Sequence, residues 1–209
     1  MIVVMALIRV SSRGPIFYRQ ERVGYRSRRF MLFKFRTMHV NAETGAHEEY
    51  VAELMQSDAP MTKLDHMGDC RLISGGRFLR ATGLDELPQI FNVLRGEMSL
   101  VGPRPCLPKE FERYQASHRR RVNALPGLTG YWQVNGKNQT TFKQMIAMDI
   151  LYIRKMSVWL DLTIIFKTVP ALVKQVSDRP KASRHRSVRN AAYASSRVTA
   201  GSNGAVHKI

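Results

Sequence analysis

The chain has 209 residues, with 33 Lys plus Arg against 16 Asp plus Glu, a formal net charge of +17 with histidine neutral. Hydrophobic residues make up 44%, enough for one core, yet no run approaches the roughly 18 to 20 consecutive apolar residues of a spanning helix, so a full transmembrane helix is excluded. The charge excess points to a polyanionic partner, and Cys70 and Cys106, with neither a C-x-x-C pair nor zinc-ligand spacing, exclude a disulfide scaffold and fit a reducing cytosolic setting.

The apolar opening Met1 to Ile8 ends at Arg9 and the break Ser11-Ser12-Arg13-Gly14-Pro15. Its charges follow the apolar run, the reverse of a cleaved signal peptide. The segment reads either as a buried helix turn or as the end of a membrane-dipping helix that begins upstream. Ile16 to Gln20 and Phe30 to Arg36 then read as two short strands, with Gly24 and the basic stretch Tyr25 to Arg29 turning between them as a β-ribbon. In the second strand Lys34 and Arg36 alternate with Phe33 and Phe35, which places both charges on one face and both rings on the other. A solvated edge strand shows the same alternation.

Residues 39 to 58 are acidic and weakly amphipathic, and Asp58-Ala59-Pro60 is a helix stop. Gly75-Gly76 opens a second helical stretch through Arg80. The clearest helix follows: Leu87, Ile90, Phe91 and Leu94 keep i, i+3, i+4, i+7 spacing, Pro88 is tolerated in a first turn, and Gly96 suits a C-terminal cap. Asp85 and Glu86 stand at or just before its N-terminus, where unpaired N–H groups and the macrodipole favour negative charge. The plain reading of Asp85 is an N-cap.

Two punctuated loops come next. Gly102-Pro103-Arg104-Pro105 fixes the backbone around one arginine, which lowers the entropy lost on gripping a phosphate, and Pro126-Gly127-Leu128-Thr129-Gly130 precedes Tyr131-Trp132-Gln133. Trp132 reads as packing before stacking. Arg119-Arg120-Arg121 meets lipid headgroups or solvates a helix. Val158 to Val176 is a core helix or an interfacial one carrying Trp159, Leu160, Leu162, Ile164, Ile165 and Phe166. From Ser177 onward the large apolar residues are scattered without period, so residues 177–209, with 7 basic and 1 acidic side chains, read as a disordered basic tail, either solubilising or tethering to anionic lipid.

In order along the chain stand Lys34-Phe35-Arg36-Thr37-Met38, Leu79-Arg80, Leu84-Asp85-Glu86-Leu87-Pro88-Gln89, Gly96-Glu97-Met98-Ser99-Leu100-Val101-Gly102-Pro103-Arg104-Pro105, Pro126 to Gly130 and Trp132-Gln133-Val134. This series closely resembles the bacterial sugar transferase family, the polyprenyl-phosphate hexose-1-phosphate transferases that begin exopolysaccharide and other surface-glycan assembly. The resemblance runs from about Gly14 to Val173. Asp149, Tyr152, Ser157 and Leu160-Asp161-Leu162 resemble the family's closing segment.

The resemblance implies an α+β fold: a compact, mainly helical cytoplasmic catalytic domain over residues 14–176, with a short β-ribbon and membrane-interface helices. Residues 1–13 would be the end of a truncated membrane-dipping helix. It also implies a monotopic enzyme at the cytoplasmic face of the inner membrane, in contact with anionic lipids. The enzyme would move a sugar phosphate from a nucleotide diphosphate sugar, mostly UDP-linked in the family, to polyprenyl phosphate with Mg²⁺ as cofactor. Asp85 is carried over as the nucleophile that holds an aspartyl phospho-sugar intermediate, and Glu86 as the principal Mg²⁺ ligand beside Asp85. Lys34, Arg36, Arg80, Arg104 and Gln133 are carried over as substrate-binding positions.

Those assignments suit the chemistry. A carboxylate can split a transfer between two anions into two steps, and arginine's planar fork binds phosphate oxygens bidentately. Consecutive helical residues point about 100° apart, so Asp85 and Glu86 face different ways and can divide the work. The chain departs from the family in lacking most of a membrane-entering helix and in having Gly136-Lys137-Asn138 where Gly-Arg-Asn is common. A truncated, inactive relative that binds nucleotide sugar is therefore one alternative reading. A basic nucleic-acid-binding protein is another, disfavoured because no helix-turn-helix, RNP or zinc-finger pattern is present.

Overall fold

Phe17, Tyr18 and Val23 in one segment and Phe30, Phe33 and Phe35 in the other favour extended backbone, and Phe17–Val23 (β1) and Arg29–Phe35 (β2) form an antiparallel ribbon in which Tyr18 faces Lys34 and Arg22 faces Phe30. A computed structural model describes residues 1–40, 42, 45–61, 71–136 and 139–177. Cys70, Lys137 and all of the expected basic tail beyond Ser177 lie outside the described residues.

The ribbon is two-faced. Phe30 and Leu32 pack on Met98, while Phe35 enters a separate cluster with Ile8, Ile73 and Leu79. Ile8 belongs to helix α1 (Ile2–Ser11), so the N-terminal segment is anchored to the ribbon by this buried side chain with Val4 and Met5 packed beside it, whereas Ile2, Val3, Leu7 and Val10 stay exposed. The expected turn is a single 3₁₀ turn, Tyr25–Ser27, in which Arg26 and Ser27 adopt left-handed φ of 51° and 61°.

Helix α2 (Gly45–Gln56) ends just before Asp58-Ala59-Pro60, as the stop signal required, and α3 (Gly76–Thr82) begins at the glycine pair. Gly83, at φ 73°, then turns the chain into a 3₁₀ helix, Leu84–Gln89, which passes directly into α4 (Ile90–Leu94). The second layer pairs β3 (Ser99–Val101) in parallel with β4 (Gly127–Thr129). Around it lie α5 (Pro108–Glu112), α6 (Tyr131–Val134), α7 (Phe142–Lys155) and α8 (Val158–Ser177). Thr141 caps α7 in a reciprocal box with Gln144. The core here is built from Val23, Cys106, Tyr114, Val122, Trp132, Phe142, Met145 and Ile146. The fold is thus mixed helix and sheet, with helix predominating, and no helix among the described residues is long and apolar enough to cross a membrane.

The clearest amphipathic pattern in the chain is inverted. Leu87, Phe91 and Leu94 are exposed, Leu94 at 77%, while Asp85 before them and Pro88, Gln89 and Asn92 between them are buried. The reason lies in Asn92. Its side chain accepts from Phe33 N (3.1 Å) and donates to Met31 O (2.8 Å) and Glu97 Oε2 (2.7 Å), pairing the outer edge of β2 where a third strand would otherwise be needed. Asn92→Leu fits the volume but orphans a backbone donor, a backbone acceptor and a carboxylate together. It should destabilise the fold by about 3 kcal/mol, read as a shifted denaturation midpoint at constant slope.

Candidate active site

The dyad is set by Gly83. Its left-handed turn ends α3 just after Arg80, in that helix's last turn, and starts the 3₁₀ segment whose first turn holds Asp85 and Glu86. Asp85 is not an N-cap: the capping position is Gly83, whose carbonyl accepts from Glu86 N at 3.0 Å. In a 3₁₀ helix neighbours diverge by about 120°. Asp85 accordingly turns inward, 8% exposed, while the Glu86 side chain remains about a third exposed.

Glu86 meets β2. Lys34 Nζ lies 2.7 Å from Glu86 Oε1, both side chains partly solvated. A pair in that setting contributes at most about 1 kcal/mol to stability, so a ligand oxygen can displace it at little cost. Lys34 and Arg36 do share a strand face, but they have different employment. The Arg36 guanidinium is 5% exposed and donates to Pro15 O (2.6 Å), Arg13 O (3.1 Å), Ser12 O (3.0 Å) and Ser12 Oγ (3.1 Å), fastening the chain after α1. On the other face Phe33 lies under two guanidiniums, Arg19 at 5.4 Å and Arg95 at 5.1 Å.

Arg104 is held at the far end of the same ribbon. Its loop is attached where Val23 N donates to Cys106 O (2.9 Å). From Tyr18, opposite Lys34, to Val23 is five residues, about 17 Å of strand at about 3.4 Å per residue. The structure therefore brings Lys34, Glu86 and Asp85 together, with Arg80 one turn upstream, and sets Arg104 apart along the ribbon. Between them, on the face that carries Lys34, run Tyr18, Gln20 and Arg22, with Arg22 Nη2 donating to Gln20 Oε1 at 2.6 Å.

The two glycine-proline loops are zipped backbone to backbone: Gly102 N donates to Thr129 O and Gly127 N to Pro103 O, each at 2.9 Å. A Cβ on Gly127 would fall 2.0 Å from Gly102 N, and one on Gly130 would fall 2.3 Å from Gly102 O, so no side chain fits at either place. Gln133 rises from this junction on α6, and its buried Oε1 has no hydrogen-bond partner among the described residues. Trp132 packs in the core, donating to Thr140 Oγ1 at 2.6 Å, as the packing reading expected.

Sequence reading missed a buried charge cluster beneath Arg104. Of the Arg119-Arg120-Arg121 triplet, Arg121 is neither a lipid contact nor solvated: at 2% exposure it pairs with Asp149 and donates to Tyr114 Oη (2.8 Å) and Arg104 O (2.9 Å). Glu110 grips the Arg104 guanidinium at 3.2 Å and accepts from Leu107 N at 3.1 Å. Arg22 donates to Pro105 O at 3.1 Å. The available signal was Leu107-Pro108-Lys109-Glu110, a helix start with its carboxylate in the first turn. Burial alone would raise the Glu110 carboxyl, but Arg104, Arg22 and Arg121 outweigh it and hold it below the usual carboxylate range. The stability this supplies is complete above the ordinary carboxylate value and is lost as pH falls through the depressed one. Burial and the Arg104 charge press Arg22 down to about 10.

The profile of the bacterial sugar transferase family matches residues 1–175. The exopolysaccharide production protein ExoY of Sinorhizobium fredii is 38% identical over 171 residues, 82% of this chain and 76% of that protein. The galactosyl transferase CpsE of Streptococcus agalactiae is 41% identical over 161 residues, 77% of this chain and 35% of CpsE. The undecaprenyl-phosphate galactose phosphotransferase of Salmonella typhimurium is 39% identical over 168 residues, 78% of this chain and 34% of that enzyme. The chain thus spans about three quarters of the first relative and about a third of the other two.

Proposed function

The chain belongs to the bacterial sugar transferase family, and from that premise we propose that it transfers a sugar 1-phosphate from a UDP-sugar to undecaprenyl or another polyprenyl phosphate, the first membrane step of exopolysaccharide or other surface-glycan synthesis. The observation that carries the reading is the divided dyad, with Asp85 turned inward and Glu86 turned out onto Lys34.

In the proposed first step an Asp85 carboxylate oxygen bonds to the sugar-linked phosphorus, and the bond from that phosphorus to the bridging oxygen breaks. The nucleoside monophosphate leaves with that oxygen, and Asp85 keeps the phospho-sugar as a mixed anhydride. In the second step a polyprenyl-phosphate oxygen bonds to the same phosphorus, giving the lipid-linked diphosphate sugar and restoring the carboxylate. Lys34 exchanges Glu86 for an oxygen of the sugar-linked phosphate, with Arg80 beside it, and Arg104 reaches from the far end of the ribbon toward the nucleotide-side phosphate; Gln133 offers its buried carbonyl to a sugar or base donor group. Arg36 takes no part, its donors being held by three backbone carbonyls and the Ser12 hydroxyl.

The donor set suits Mg²⁺. No group of three metal-binding side chains occurs among the described residues, but two adjacent carboxylates match an ion that takes one or two protein oxygens and completes its shell with water and substrate phosphate. Glu86, with Asp85, would hold it. When bound, the ion offsets negative charge on the phosphate being transferred.

Membranes containing the full chain, given UDP-[¹⁴C]glucose or UDP-[¹⁴C]galactose and undecaprenyl phosphate with Mg²⁺, should label the lipid fraction and release UMP in equal amount. Absence of both products with either donor would overturn the UDP-hexose assignment.

For the membrane, the support is exposed apolar surface. Trp159 (80% exposed), Leu162, Phe166 (75%), Val169 and Val173 line one side of α8, opposite the buried Ile164, and α1 and α4 add Ile2, Val3, Val10, Phe91 and Leu94. Surface of that kind, flanked by arginines, suits a peripheral, monotopic seat on the anionic cytoplasmic leaflet. Trp159→Ala with Phe166→Glu should weaken sedimentation with phosphatidylglycerol vesicles about tenfold or more, leaving the melting temperature within about 2 °C.

A further inference from the structure

One residue of the Gly102–Pro105 loop is held at both ends. The Arg104 guanidinium meets Glu110, with Nη1 at 3.2 Å from Oε2 and both Nη1 and Nη2 at 3.4 Å from Oε1. Its carbonyl accepts from Arg121 Nη2 at 2.9 Å, and Arg121 is itself fixed by Asp149 and Tyr114. The next carbonyl, of Pro105, accepts from Arg22. Arg22 and Arg121, from segments far apart in sequence, thus converge on two successive carbonyls, while Glu110 holds the side chain between them.

Such convergence is unnecessary for packing, because prolines already stiffen the loop and a buried ion pair is neutral to unfavourable for stability compared with an apolar replacement. What it does is fix a guanidinium. The three distances to Glu110 are long for a bidentate pair, which is ordinarily about 2.7–2.9 Å, and the Arg104 side chain keeps 20% of its surface in solvent while Glu110 is buried. Glu110 therefore steers Arg104 from behind without closing off its outer edge. The cluster also holds three guanidiniums, of Arg22, Arg104 and Arg121, against two carboxylates, of Glu110 and Asp149, an excess of one positive charge. An anion at the outer edge of Arg104 restores the balance.

We infer that Glu110 and the Asp149–Arg121 pair are positioning residues that aim Arg104 at a phosphate oxygen of the nucleotide donor, an assignment that rests on the phosphotransferase reading above. Glu110 acts on the guanidinium, Asp149–Arg121 on the peptide beneath it. None of the three touches the reacting phosphorus.

The test is a double-mutant cycle read by binding. Inorganic pyrophosphate with Mg²⁺ carries the group Arg104 is to bind and nothing of the sugar or base. It is titrated calorimetrically into the full chain in phosphatidylglycerol nanodiscs, as wild type, Glu110→Gln, Arg104→Gln and the double variant. Each single change should weaken pyrophosphate about tenfold, and the double variant should fall within twofold of Arg104→Gln, because Glu110 has nothing left to aim. A full second tenfold loss in the double variant shows that Glu110 acts without Arg104 and overturns the inference. So does wild-type affinity in Arg104→Gln. Because label transfer is measured separately, an active chain with that second result sinks the inference and leaves the phosphotransferase reading standing. If Glu110→Gln fails to fold by circular dichroism, Glu110→Asp, which keeps the charge but withdraws it by one methylene, runs the same cycle.

Discussion

Asp85→Asn should lower transfer of label from UDP-sugar to undecaprenyl phosphate by on the order of 10³-fold or more in kcat, the scale of losing a nucleophile. The substitution is nearly isosteric, so a buried fold position is kept while the attacking charge is removed. The sharper reading comes without the lipid acceptor. Wild-type chain should then release UMP in a burst approaching one equivalent, because the first step leaves the phospho-sugar on the carboxylate, and Asp85→Asn should release none. Near-normal turnover in Asp85→Asn would falsify the nucleophile assignment. Retained turnover with no burst in the wild type would point instead to direct attack by the lipid phosphate. Glu86 is separable, since Glu86→Gln keeps Asp85 in place and should act chiefly through the Mg²⁺ dependence.

Asp149→Ala should be the most destabilising single change in the molecule. Arg121 and Asp149 are both about 98% buried, so removing the carboxylate leaves a guanidinium in the interior without its counter-charge, a loss of about 3–5 kcal/mol. That is a large part of the roughly 5–15 kcal/mol a domain has. For a chain of this size the melting temperature should fall by about 6–20 °C. The paired change Arg121→Met with Asp149→Leu removes both charges and should recover most of that loss. It should not recover pyrophosphate affinity, because the Arg104 carbonyl has still lost its donor. Stability and ligand affinity thus part company in the rescued protein. Full recovery of both would mean that the pair serves the core alone.

Much of the frame was readable along the chain. The ribbon, the helix that stops before Asp58-Ala59-Pro60, the glycine pair opening α3 and the two glycine-proline loops all came from local rules, because turn chemistry and strand alternation act within a few residues. The helix after Asp85 was read correctly as helical and amphipathic, but periodicity says only that two faces differ. It does not say which one the core takes. Here Asn92 supplies hydrogen bonds that β2 requires, and burying it turns Leu87, Phe91 and Leu94 outward.

The site divides in the same way. The adjacency of Asp85 and Glu86 is a fact of sequence, and their divergence follows from any helical backbone. Lys34 was singled out on its strand, yet its meeting with Glu86 joins residues 52 apart. Arg121 looked like one of three surface arginines, and nothing in its neighbours distinguishes it, since its partners are Asp149, Tyr114 and the carbonyl of Arg104.

By itself the sequence determined the family, the carboxylate dyad, the basic residues able to bind phosphate and the positions where the backbone must turn, because each is a property of residue types at short spacing. Only the tertiary structure decided which of those basic residues keep a solvent-facing edge and which are consumed by the fold. A guanidinium's role depends on which oxygens surround it, and those of Arg36 and Arg121 are brought there from distant segments by packing.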